Sequence, residues 1–151
     1  MSITNPLTFG STDDVTAQEY NVLRQYGGLY YMVTAQTIAS STWATIGGVS
    51  FEVTKQFSNT TLLVTMAAPI AADTIGFEIK LGLLIGLSPY EVTHHNYGDT
   101  NVPHGVGGTT VVSMSAGASS IQAIWQRAAG TGTGTLAAGY PLSVIIREVL
   151  Y

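Results

Sequence analysis

Between residues 75 and 85 the chain alternates with a period of two. Ile75, Phe77, Ile79, Leu81, Leu83 and Ile85 fall on one side, and Gly76, Glu78, Lys80, Gly82 and Leu84 on the other. Successive side chains of a strand point to opposite faces, so this pattern predicts a half-buried antiparallel strand. The habit recurs along the chain. Leu29, Tyr31, Val33 and Ala35 alternate with Tyr30, Met32, Thr34 and Gln36. After a Gly47-Gly48 turn, Val49, Phe51, Val53 and Lys55 alternate with Ser50, Glu52 and Thr54, and a Ser58-Asn59 turn leads into Leu62, Val64 and Met66. Residues 90–97, 109–115, 120–128 and 142–149 read as further strands, separated by glycine-rich turns. About eight strands with turn signals between them predict an all-β fold, a single antiparallel sandwich or jelly roll. The absence of a βαβ alternation disfavours a parallel α/β enzyme.

The first 28 residues follow a different rule. Pro6, Gly10 and the Asp13-Asp14 pair break any period, so this stretch reads as an extended arm. Thr16-Ala17-Gln18-Glu19 fits a capping box, predicting a short helix over about residues 17–26 that stops at Gly27-Gly28. The expected organisation is an arm with a short helix over 1–28 and a sandwich domain over 29–151.

Composition narrows the partners. Charged residues make up only 9% of the 151 positions, nine acidic against five basic. An ordinary soluble domain carries about 25%, so Thr, Ser, Gly, Gln and Asn must build most of this surface. Nucleic acid is not an expected partner, because a phosphate backbone is met by clustered Lys and Arg. Membrane insertion is not expected either, since the longest apolar run, residues 81–87, is far short of the roughly 18 a spanning helix needs. The absence of cysteine excludes disulfides and thiolate metal sites.

The residues that could carry chemistry do not assemble into a reaction. His94, His95 and His104 share an eleven-residue stretch with Asn96, Asp99 and Pro103. Adjacent residues of a regular strand face opposite ways, so His94 and His95 cannot both ligate one ion. They read as loop and interface histidines, with no metal site and no cofactor assigned. The Gly130-Thr-Gly-Thr-Gly-Thr run lacks the following helix or lysine of a phosphate cradle. There is no nucleophile elbow, and the carboxylates are scattered. The chain is not expected to be an enzyme. Tyr31, Phe51 and Trp125 sit on apolar faces and read as core, whereas Tyr97, His104 and Tyr140 fall at strand ends or loops and are the candidate ligand residues.

Four stretches resemble tumour-necrosis-factor-like jelly rolls of tailed-phage virions: the strand Asn59-Thr60-Thr61-Leu62-Leu63-Val64-Thr65 after a polar turn, the glycine turn and aromatic-bearing strand of residues 115–125, the loop of residues 130–135, and the closing strand of residues 142–149. The resemblance covers roughly residues 30–151. It implies a homotrimer with apolar side chains between protomers. The residues themselves lend support, because Tyr30, Met32, Leu84, Ile145 and Val149 lie opposite the faces read as core, and strands apolar on both faces are buried on both. These five are the expected trimer interface. The functional expectation is a virion structural protein. It would be a capsid decoration or cement protein at the virion surface, made in the host cytoplasm. Ile3, Leu7, Phe9, Tyr20 and Leu23 of the arm would attach it to the major capsid protein. The alternative is a receptor- or glycan-binding tip of a phage fibre or adhesin.

Overall fold

The computed structural model describes residues 25–150. The expected arm, its attachment residues and most of the expected short helix lie outside them. The described residues form ten strands: β1 Gln25–Tyr31, β2 Gln36–Ile38, β3 Ala44–Lys55, β4 Thr60–Ala72, β5 Glu78–Ile85, β6 Ser88–Asn96, β7 His104–Val112, β8 Gly117–Ala129, β9 Gly134–Leu136 and β10 Pro141–Leu150. Among the described residues no helix is long and apolar enough to cross a membrane.

Eight of these strands make two four-stranded antiparallel sheets. One runs β1-β10-β4-β7 and the other β3-β8-β5-β6. Along the chain these eight strands alternate between the two sheets except at the β5–β6 hairpin, whose strands pair within one sheet, and this order of two interlocked Greek keys is a jelly roll. The short strands β2 and β9 pair with each other, and β9 extends the first sheet against Ala71 and Ala72 at the end of β4.

The core lies between the sheets and follows the alternation. Leu62, Val64, Met66, Ala68 and Ile70 face inward from β4, and Leu142, Val144 and Ile146 from β10. Phe77, Ile79, Leu81, Leu83 and Ile85 meet them around β5, with Ile121, Ala123 and Trp125 from β8. Each fully buried aliphatic side chain contributes roughly 1.5–3 kcal/mol of transfer free energy, so two such rows define the sandwich.

Several expectations change. Gly27-Gly28 is not a helix stop, because β1 passes through both residues, paired with Ile145 and Val144. Gly47-Gly48 is not a turn, because β3 continues through it and accommodates it as an irregularity in register between Thr45 and Ser50. Gly48 there adopts φ 77°, a left-handed conformation glycine takes without strain. Ile75 is exposed in the turn before β5, so that strand's inward series starts at Phe77.

The two faces of β1 are exchanged relative to the sequence reading. Tyr31 is 64% and Leu29 60% exposed, and Val33 beyond the strand is exposed too. Met32 is buried, and Tyr30 is half-buried with its ring stacked on Phe51 at 5.9 Å between centroids. Tyr31 is therefore not core. Tyr30 and Met32, assigned from sequence to a subunit interface, pack inside their own sandwich.

Candidate functional site

Three places on the described surface gather side chains that could do something beyond folding. The first is the seam where the edge strands β6 and β7 of the two sheets meet. Tyr97, just past the end of β6, is fully buried, and its hydroxyl donates to the Ile70 carbonyl on the opposite sheet at 2.8 Å. Its backbone N–H donates to Phe77 O at 2.9 Å, and its carbonyl accepts from Gly76 N at 2.8 Å. Burial holds the phenol well above its ordinary pKa. A side chain so enclosed locks the two sheets together and cannot stack on a sugar, so Tyr97 is not accessible as the ligand residue the sequence suggested.

His95 packs its ring edge-on to Tyr97 at 4.7 Å and lies 5.3 Å from the His104 ring. His104 Nε2 is 2.7 Å from Asp99 Oδ1. His95 Nε2 is buried and has no hydrogen-bond partner. Burial, and secondarily the neighbouring His104, lowers the His95 pKa from its ordinary 6.5. His94 faces the other way, as the alternation requires, with Nε2 3.0 Å from Glu78 Oε2. The other oxygen of Glu78 accepts from Asn96 Nδ2 at 2.9 Å. Among the described residues no three His, Cys, Asp or Glu side chains converge as a metal site. The seam is thus a packed and hydrogen-bonded joint rather than a ligand pocket.

The second place is one end of the sandwich. An open cleft of about 910 Å3 lies between the β3–β4 and β7–β8 connections, lined by Ser58, Asn59, Thr60, Thr61, Ser113 and Ser115 with Val111 and Met114. Its lining carries hydroxyls, amides and methyls and no charged group. Behind it, the buried Glu148 carboxylate clasps the β3–β4 connection. It accepts from the backbone N–H groups of Gln56 at 2.9 Å and Phe57 at 2.9 Å, and from the Thr60 hydroxyl. Lys55, equally buried, donates to the Phe57 carbonyl. Neither Tyr140 nor His104 lines the cleft; of the sequence-derived ligand residues, His104 and Tyr97 meet edge-on at the seam instead, with ring centroids 5.3 Å apart. The signal available in sequence was the clustering of Ser, Thr and Asn at two turns that a jelly roll places at the same end.

The third place is the outer face of the β1-β10-β4-β7 sheet. Cross-strand registers set Leu29, Ser143, Ala67 and Gly107 in one row, and Gly27, Ile145, Thr65 and Thr109 in the next. A third row holds Arg147, Leu63 and Val111. Val149 continues this face with Ile145, whereas Leu84 lies on the outer face of the other sheet, so the expected interface residues are divided between two outer faces and the interior. Thr65 and Thr109 join across the strands through their hydroxyls at 3.0 Å.

No protein-family model and no curated protein matches this sequence. Solved structures do. The chain is similar to the protein of T=1 particles derived from infectious bursal virus, with a TM-score of 0.53 and 12% identity over 97% of this chain and 41% of that one. It also resembles the VP2 subviral particle of infectious bursal disease virus, with a TM-score of 0.46 and 11% identity over 87% of this chain and 38% of the other. A third likeness is to dimeric latent PorU from Porphyromonas gingivalis, with a TM-score of 0.48 and 7% identity over 85% of this chain and 13% of that one. The chain spans about two fifths of the length of the viral proteins it matches. At these identities the likeness is one of fold. It supports a jelly roll of the kind found in viral particles and does not single out the tumour-necrosis-factor-like, tailed-phage type.

Proposed function

We propose that this chain is a structural protein of a virion: a homotrimeric decoration protein of a tailed-phage head, attached to the major capsid lattice by its N-terminal arm. The observation that carries this reading is the jelly roll itself, shared over 97% of the chain with a viral particle protein at a TM-score of 0.53. The low charge agrees with it, since the surface is built from hydroxyls, glycine and methyls rather than from groups arranged to turn over a substrate. Attachment works by addition. Each arm lays Ile3, Leu7, Phe9, Tyr20 and Leu23 on a capsid seam, and three arms per trimer sum weak contacts into tight binding.

The structure sharpens the deletion that tests this. Because β1 begins at Gln25, removing residues 1–24 spares every described strand, whereas removing 1–28 would cut into β1. Heads of the encoding virus assembled without this protein are incubated with the full chain and with the chain lacking 1–24. The full chain is expected to sediment with heads and the shortened chain to stay in the supernatant while keeping its β-sheet circular dichroism. Equal decoration by both chains would overturn the arm assignment. A full chain that ignores heads but binds a glycan array, with binding lost in Tyr140→Ala, would establish the receptor- or glycan-binding tip instead.

A further inference from the structure

We infer that the outer face of the β1-β10-β4-β7 sheet is the surface on which a second copy of this chain packs. This rests on the homo-oligomer reading above and assigns it a place different from the one the sequence suggested. Leu29, Tyr31 and Val111 are exposed there, and Leu63 and Ile145 are half-buried beside them. Arg147 is the charged side chain among these rows, and the positions between the large apolar groups are Gly, Ala, Ser and Thr. A sheet face meant for water carries charged and long polar side chains; one with large apolar groups set among small neutral ones is shaped to be covered.

Charge and area fit a second copy that binds weakly. A face with so little charge neither attracts a strongly charged partner nor repels a weakly charged one, and this chain has only five basic and nine acidic residues. Strands lie about 4.8 Å apart and rise about 3.3 Å per residue. Four strands over the seven residues from Pro141 to Arg147 give roughly 450 Å2 of flat face, hence about 900 Å2 buried between two copies by that geometry. A stable interface needs about 1,000 Å2 or more, so one of this size is weak and forms as concentration rises. The five sequence-assigned interface residues could not supply such an area, since Tyr30 and Met32 are inside the sandwich and Leu84 is on the opposite side.

The experiment is the mass of the full chain in solution by light scattering coupled to size exclusion, for wild type and two double variants. Leu29→Glu with Tyr31→Glu places two negative charges on the face at exposed positions. Ser50→Glu with Thr54→Glu places the same charge on the outer face of the other sheet. The expected result is an oligomeric wild type, a face variant that elutes at the 15.9 kDa of one chain, and a control variant with the wild-type mass. Matching circular dichroism spectra establish that both variants are folded. A face variant that assembles like wild type overturns the assignment of this face and leaves the oligomer reading standing. A single-chain wild type overturns both, and peptide mapping of Tyr31 nitration then distinguishes an open face from one covered by residues 1–24.

Discussion

The two sheets are built alike on the inside and differently on the outside. On the outer face of β3-β8-β5-β6, Lys80 pairs with Glu91 at 2.6 Å, and Glu78 holds both His94 and Asn96. Of the apolar groups on that face, Leu84 is half-buried and Ile124 is 2% exposed. Ile124 lies beside Gly82 in the register, and Trp43 from the β2–β3 connection rests over Gly82, where a Cβ would meet its ring at 3.1 Å. The outer face of β1-β10-β4-β7 has no such lid among the described residues, and Leu29 and Tyr31 stand open on it. One face places charged pairs around its apolar spot; the other keeps its apolar groups open, with Arg147 as the charged side chain in its described rows. The lesson is that a second apolar face on a strand says only that something covers it. Within one small sandwich the cover can be the chain's own tryptophan or lie beyond the fold.

The largest test of that contrast is at the lid. Gly82→Val drives a branched side chain into the Tyr90 carbonyl and the Trp43 ring, and is expected to destabilise the fold by about 3 kcal/mol. Trp43→Ala uncovers Gly82, whose register partner is Ile124, at an expected cost of about 2–3 kcal/mol, less than a fully buried tryptophan because Trp43 is only partly buried. Urea unfolding followed by far-ultraviolet circular dichroism measures both. If Trp43→Ala unfolds within about 0.5 kcal/mol of wild type, the lid is not what closes this face and the comparison collapses.

Next in size is the clasp at the cleft end, which both sheets share. Glu148→Gln keeps the shape but replaces an acceptor of two backbone N–H groups and a hydroxyl by a group that presents donors to some of them. Hydrogen bonds to a buried charge are worth about 1.5–3 kcal/mol, and breaking the carboxylate's set is expected to cost about 2 kcal/mol. A neutral result in urea unfolding would show that the β3–β4 connection is held by Lys55 and Thr60 without it.

A pH series probes the seam joining the sheets. Burial favours neutral His95 in the folded chain, so its pKa lies below the ordinary 6.5. The folded state then binds this proton less readily than the unfolded one, and stability is fully present above about pH 6.5 and falls as pH drops through the folded pKa. His104, Asp99 and His94 all act on the same ring, so the test needs a variant that isolates it. His95→Phe is expected to flatten the decline in melting temperature between pH 7 and pH 5. An unchanged decline would assign the acid sensitivity to other groups.

These tests also mark where the sequence was legible. The alternation through β5 identified strand and inward face together, because only one of its faces is consistently apolar. In β1 both faces are apolar, with Leu29, Tyr31 and Val33 against Tyr30 and Met32, so the period identified a strand without choosing its inward side. The choice is made at long range, by Phe51 on β3 stacking on Tyr30. The same limit hid Tyr97, whose burial depends on the Ile70 carbonyl of the other sheet, and the Trp43–Gly82 lid, whose members lie 39 residues apart. Gly47-Gly48 read as a turn because glycine pairs usually end strands, yet the β8 register carries β3 past them as an irregularity. The hydroxyl-lined cleft needs two turns brought to one end, which only the strand order specifies.

The smallest effect belongs to the open face. Leu29→Ala removes a side chain that is 60% exposed in the protomer, so little apolar surface returns to water on unfolding. In dilute solution, where single chains dominate, its expected cost is within about 0.5 kcal/mol. Partner binding stabilises the folded state by mass action, so the wild type should melt higher as concentration rises, while Leu29→Ala should respond less. Trp43→Ala should lower the melting temperature by a similar amount at every concentration, because its lid is internal to one chain. Melting curves for the three proteins across a hundredfold range of concentration separate the two kinds of cover. Parallel responses of Leu29→Ala and wild type would mean that Leu29 meets water rather than a second copy, and that the openness of this face has no partner behind it.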